Sequence, residues 1–174
     1  MKRLHLFEFE DLEWFPSWLR NYMTDFLQLV CDTFDVYEPA MPIIEKGLEK
    51  SGGQKIIDLA SGGGGGWKKI SERLKGKFPD HKIIFTDYYP NETAFKKAKN
   101  ASPHFDYHAE SVDARNVSNE LKGMRTQFLS LHHFQPKDAK AILQNAVDSN
   151  TTIAVFEVTE RSVKGFLGVL FSPI

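Results

Sequence analysis

The stretch KIIDLASGGGGGWKK, residues 55–69, limits the fold more than any other part of the chain. Gly62 to Gly66 are five consecutive glycines between an apolar run and a tryptophan. Glycine loses more conformational entropy on ordering than any other residue, so five together cost stability unless the backbone needs them. A loop that lies against a ligand gains from having no Cβ. The run before the glycines reads as a strand and WKKISERLK after them as a helix. The glycines are therefore the turn that leaves a strand's carboxyl end.

The same alternation continues downstream. Strands are expected over 55–59, 82–87, 105–109, 126–131 and 152–158, and helices over 67–75, 92–99 and 136–148. Strands that alternate with helices predict the α/β class: a Rossmann-like, mostly parallel sheet with helices on both faces. Parallel strands buried on both sides read as near-continuous apolar runs, as KIIDL and TIAVFEV do. Upstream, Trp18, Tyr22, Phe26, Leu29, Val30, Thr33 and Phe34 recur at helical spacing near one face. EPAMPIIEKGLEKSGG reads as a second helix, begun by Pro42 and stopped by Gly52 and Gly53.

A chain of 174 residues suffices for one domain with its own core. The expected division is an N-terminal helical cap over 1–53, a core over 54–160 and an apolar tail over 161–174 that ends GFLGVLFSPI. That tail is expected to be followed by a missing C-terminal part, or to pack on the sheet or on a partner, a homodimer included. Hydrophobic and charged fractions of 41% and 26% suit a soluble globular protein. A net charge of -1 implies no general attraction to nucleic acid or anionic lipid. Cys31 stands alone, which rules out an internal disulfide, and its apolar helical setting makes it a small core residue. Glu8, Glu10 and Asp11 interrupt any apolar leader region, and no run reaches the ~18 apolar residues of a membrane helix. The expectation is a cytoplasmic protein with no integral membrane segment.

In an open α/β sheet a ligand sits outside the carboxyl ends of the strands, near the point where strand order reverses. Three glycine loops occur there. The phosphate loop needs G-x-x-x-x-G-K-[ST], which no glycine here satisfies. The dinucleotide fingerprint needs a small residue at its last position. Counting from Gly62, Gly63 or Gly64, that position is Trp67, Lys68 or Lys69. The third loop is D-x-[GA]-x-G-x-G, and the chain reads Asp58-Leu59-Ala60-Ser61-Gly62-Gly63-Gly64.

This stretch resembles motif I of class I S-adenosylmethionine-dependent methyltransferases. The resemblance implies that the loop cradles the amino-acid and ribose part of S-adenosyl-L-methionine, with Asp58, Ala60, Ser61, Gly62, Gly63 and Gly64 in the site. Ala60 stands where glycine is commoner in that family. An acid after the second strand is expected to hold the ribose hydroxyls, and Asp87 in IIFTDYYP occupies that place, followed by Tyr88. Asp113 and Ala114 in ESVDARNVS match the acidic and small pair that meets the adenine, and Leu131 completes the expected cofactor-binding set. FLSLHHF resembles the stretch after the fourth strand of many small-molecule methyltransferases. The [ND]-P-P-[YF] motif of amino-methylating enzymes is absent. DLEWFP, YEPAMPII, DLASGGGGGW, VDARNV and LHHFQPKDA together resemble an uncharacterised bacterial group of these enzymes, over about residues 11–161. The resemblance implies a seven-stranded sheet of order 3-2-1-4-5-7-6, of which five strands are legible here and the last two are missing or replaced.

Each residue also has a plainer reading. Gly65 and Gly66 can be purely conformational, Asp58 can orient the loop, and Asp87 can start a helix. Trp67 can shield the cofactor or only staple helix to core. Lys68 and Lys69 suit a solvated helix face. Trp14, Phe15 and Trp18 belong to the core or to a lid. His132 and His133 are candidates for a catalytic base, and adjacent residues of a continuing strand point to opposite faces. His104 and His108 fall in a loop and a strand, so no metal site is expected there. The expected reaction is in-line methyl transfer to a small-molecule acceptor, without metal or covalent intermediate. The competing class is a nucleotide-binding module without methyl transfer: a degenerate methyltransferase-like domain working with a partner, or an NAD-dependent oxidoreductase.

Overall fold

The computed structural model describes residues 14–157 apart from 17, 20, 21, 23–25, 27, 28, 30, 32 and 65. Five strands, β1 (Lys55–Leu59), β2 (Lys82–Phe85), β3 (Phe105–Tyr107), β4 (Met124–Phe128) and β5 (Ile153–Phe156), form one sheet. Their order is β3-β2-β1-β4-β5, and every neighbouring pair is parallel. Helices α1 (Met41–Ser51), α2 (Trp67–Leu74), α3 (Glu92–Ala101) and α4 (Pro136–Asp148) connect or precede the strands.

Alternation along β1 divides the core in two. Ile56 faces one side with Ile83, Phe85, Ile44, Leu48, Ile70, Leu74 and Phe95, which brings α1, α2 and α3 onto that face. Ile57 and Leu59 face the other side with Val112, Val117 and Ile142, beneath α4 and the segment before β4. Each such side chain stabilises the fold by about 1.5–3 kcal/mol when fully buried. Local signals set the helix limits. Proline stands in the first turn of α1, Gly52 ends it with φ 65°, and the Asn91 side chain caps α3 by accepting from the N–H of Ala94.

The strands are shorter than their apolar runs. β2 stops at Phe85, and β3 stops at Tyr107, its register partner. β4 begins two residues early and ends at Phe128. Leu129 then takes φ 46°, and Leu131–His133 form a short 3-10 helix. A run of apolar residues cannot distinguish a strand from the tight turn that follows it.

The N-terminal aromatics depart from expectation. Trp18, Tyr22, Phe26, Leu29 and Phe34 have helical backbone, but Trp18 is 70% exposed and Tyr22 68%. Trp14, at 69%, is likewise outside the core, whereas Cys31 is buried within it. Periodicity identifies an apolar face and not what covers it. Val30 and the tail over 161–174 lie outside the described residues. No helix among those described is long and apolar enough to cross a membrane.

Candidate functional site at the sheet switch point

β1 and β4 are adjacent, and the chain runs outward from them in opposite directions, to β2 and β3 on one side and β5 on the other. The crevice at their carboxyl ends is the switch point of an open α/β sheet, where such folds bind ligands. The first residue past each strand is left-handed and is not glycine: Ala60 at φ 51° and Leu129 at φ 46°. Each costs about 1–2 kcal/mol relative to the right-handed form, a strain that clusters at functional turns.

The glycine loop is tied to the end of β2. Ser61 N–H donates to Thr86 O at 3.0 Å, and the Thr86 hydroxyl donates to Asp58 O at 2.7 Å. Asp87 completes the link. Its Oδ2 accepts from Gly62 N–H and its Oδ1 from Tyr89 N–H, both at 2.9 Å. Asn91, not Asp87, caps the helix that follows. Gly62, Gly64 and Gly66 all have positive φ. A Cβ on Gly64 would meet the Phe85 ring at 3.4 Å, and one on Gly66 would lie 2.4 Å from Tyr37. Gly66 is thus required by backbone and packing alone. Gly63 and Gly64 border a groove of about 240 Å³ between α2 and α3.

Asp58 does not reach that space. Its side chain is buried and accepts from Thr126 Oγ1 at 2.8 Å. Burial pushes its carboxyl up to about 6, against the Thr126 bond, and the charge of Asp87 adds to the rise. Its backbone carbonyl also takes the Ser61 hydroxyl at 2.8 Å. Trp67 is 1% exposed and meets Phe128 edge-on at 5.2 Å, so it packs and does not shield a site. Tyr37 meets Phe128 at 4.8 Å, and Phe156 stacks on Phe128 at 4.6 Å. These rings form an apolar floor below the switch point. The Tyr37 hydroxyl is held above its usual range, first by burial and the Cys31 contact and then by the charges of Asp58 and Glu157.

Across the crevice, Ala114 is buried in the same cluster as Leu59, and half-buried Leu131 packs against it. Tyr88 is half exposed beside Asp87. Asp113 is engaged by Arg115, which donates to both carboxylate oxygens from Nε and to Oδ2 from Nη2 at 2.8 Å. The Arg115 guanidinium holds the Asp113 carboxyl below its usual range. His132 and His133 do not point to opposite faces. The strand has ended, and the 3-10 turn brings their rings to 4.3 Å.

Three residues escaped the sequence reading. Glu157 follows β5 and accepts from Leu131 N–H and from His132 Nδ1. Its signal was present: an acid directly after an apolar run, as Asp87 stands after β2. The Gln127 amide and the Ser130 hydroxyl are buried at the end of β4 without a partner among the described residues. Both lie inside the run FLSL and its flank, where nothing distinguishes them from strand residues.

His104 stacks on His81 at 4.1 Å, and no group of three or more His, Cys, Asp and Glu among the described residues could hold a metal ion. No family model matches the chain, and a search of curated proteins finds no match.

Proposed function

We propose that the chain is an S-adenosylmethionine-dependent methyltransferase acting on a small-molecule acceptor. One observation carries the reading: the first glycine of the β1 loop and the acid after β2 are hydrogen-bonded to each other at the switch point. This joins the two elements that such a cofactor needs, a close-approach backbone and a carboxylate for ribose hydroxyls.

The surroundings fit the group. Ser61 to Gly64 would hold its amino-acid end, Asp87 its ribose, and Tyr88, Ala114 and Leu131 its base. The orphaned Gln127 amide and Ser130 hydroxyl supply polar atoms that gain from a ligand with donors and acceptors. Asp113, already taken by Arg115, has a positioning part at most. Asp58 acts from below by fixing the loop through its carbonyl. When bound, S-adenosylmethionine supplies a methyl group already activated by the sulfonium charge. The protein's task is then placement, and holding two reactants in line can supply about 7–11 kcal/mol of a barrier.

Isothermal titration with S-adenosylhomocysteine, with NAD as control, tests the reading. Micromolar binding of the homocysteine compound alone is expected. Asp87→Ala should weaken it at least about tenfold, the equivalent of a hydrogen bond to a charged group. Gly64→Val should abolish it, because φ 75° and the Phe85 ring both exclude a branched side chain. Binding of NAD alone would favour the oxidoreductase. No binding of either would favour a non-catalytic module, for which the exposed Trp18, Tyr22 and Leu29 offer a surface.

A further inference from the structure

We infer that the groove between α2 and α3 is a second binding site, for a small amphipathic acid. The anionic head lies between Lys68 and Lys97, and a short apolar body lies on the alanines of α3. The site is separate from the crevice at the switch point and does not rest on the methyltransferase reading.

The groove follows from the sequence of α3. Ala94, Ala98 and Ala101 stand at i, i+4 and i+7, so they share one face of the helix, and that face lines the groove. Phe95 is fully buried and stacks on Phe85 at 5.7 Å, which anchors α3 to the sheet. The other wall is equally short in side chain: Gly63 and Gly64 of the loop and Ser71 of α2. Short side chains on both walls leave about 240 Å³ open, with buried Phe105 also in the lining. Sites for drug-sized molecules measure about 300–1,000 Å³, so the occupant here is small.

Charge selects the occupant. The acids of the two helices are already matched: Glu72 by Lys75 at 2.7 Å and Glu92 by Lys96 at 2.7 Å. Asp106 on β3 is matched by Lys99 at 2.8 Å. Glu72 also lines the groove, so Lys75 offsets the one negative charge there. Lys68 of α2 and Lys97 of α3 line the groove from its two sides, and neither has an ion pair among the described residues. The groove therefore carries an excess of two positive charges beside an apolar bed. Lysine acts as a compact point charge and takes a carboxylate or a phosphate ester alike. Ser102 adds a hydroxyl whose oxygen accepts from His104 N–H at 3.2 Å, which leaves its hydrogen to donate. A cation is repelled here, and a neutral apolar molecule gains nothing from the lysines.

Amide NMR of the labelled chain, titrated separately with octanoate, octyl phosphate, octanol and acetate, tests the site. Octanoate should move Gly63, Gly64, Lys97, Ala98 and Ser102 together on one binding curve. Binding of octanoate or of octyl phosphate supports the site, and their ratio names the preferred head. Octanol lacks the charge and acetate the apolar body, so each should bind about tenfold more weakly or worse. Lys68→Gln and Lys97→Gln should each weaken octanoate about two- to fivefold and leave the melting temperature unchanged, since neither breaks an ion pair. Ala98→Leu should abolish binding by filling the groove, and a thermal melt of that variant checks its fold. Shifts centred on Asp87 and Ala114 would place the acid at the switch point and overturn the second site. Octanol binding as tightly as octanoate, full affinity in the double lysine variant, or no shift with either anion at millimolar concentration would overturn it equally.

Discussion

Thr126 on β4 donates its hydroxyl to the buried carboxyl of Asp58 on β1, Oγ1 to Oδ1, at 2.8 Å. Among the described residues this is the one side-chain bond joining the two strands that flank the switch point, and it sits directly beneath the glycine loop. It does not offset burial, which leaves the Asp58 carboxyl at about 6. The fold therefore prefers the protonated acid, whereas the unfolded chain titrates near the ordinary 3.8. Above pH 6 the ionised group destabilises the fold, and stability is regained as pH falls from 6 towards 3.8. Asp58→Asn, which keeps an acceptor for Thr126, should raise the melting temperature at pH 7.5 and lose that advantage near pH 4. The full difference is on the order of 3 kcal/mol. Paired thermal melts at the two pH values measure it.

His81 works in the opposite sense. Its Nδ1 bonds Phe78 O at 2.8 Å, so the Ser71 hydroxyl donates to Nε2 at 2.7 Å. Burial lowers its pKa below the usual 6.5, and the charges of His104 and Lys75 add to this. The unfolded chain takes up the proton first, so the neutral ring's stability is complete above pH 6.5 and is lost as pH falls from there towards the lowered value. Relative to wild type, His81→Gln should be less stable at pH 7.5 and recover part of the difference at pH 5.5 in the same melts. An unchanged difference would contradict the neutral assignment.

Two single-atom changes in the loop should have opposite signs. Gly66→Ala places a Cβ 2.4 Å from Tyr37 at φ 80°. It should destabilise by about 2 kcal/mol or more, from left-handed strain and overpacking together. Ala60→Gly relieves φ 51° and should stabilise by about 0.5–1 kcal/mol after the extra freedom of the unfolded chain is counted. Urea titrations of both variants decide this.

Arg125 is 1% exposed, and among the described residues its guanidinium finds only neutral partners, Asn145 Oδ1 at 2.7 Å and Ser149 Oγ at 3.3 Å. Both belong to the last turn and cap of α4, whose negative dipole end offsets part of the buried charge. Asn145→Asp supplies a full counter-charge and keeps an acceptor for Val117 N–H. It should stabilise by about 1 kcal/mol at pH 7. Asn145→Ala should destabilise by at least as much. Denaturant midpoints check both.

The alternation of apolar runs with amphipathic helices was enough to predict an α/β sheet, and it found all five described strands. The runs overshot strand ends because Phe128, Leu129 and Leu131 are equally apolar, while only backbone geometry separates strand from turn. The glycine run and Asp87 were legible as candidate site residues, each standing after a strand. Gly66 was not, since its need comes from Tyr37, which lies 29 residues earlier in sequence. The burial of Asp58, the engagement of Asp113 by Arg115 and the pairing of His132 with Glu157 depend on register between strands. No local pattern carries that. The exposure of Trp18 and Tyr22 was hidden for a related reason, because a helix face announces itself in sequence and its covering partner does not.

The most direct measurement is amide NMR of the labelled chain on titration with S-adenosylhomocysteine. The largest shifts are expected at Gly62, Gly63, Gly64, Asp87 and Ala114, with Lys55 and Gly123 at the opposite end of the sheet unmoved. Shifts confined to that opposite end, or none at saturating ligand, would contradict a cofactor site at the switch point.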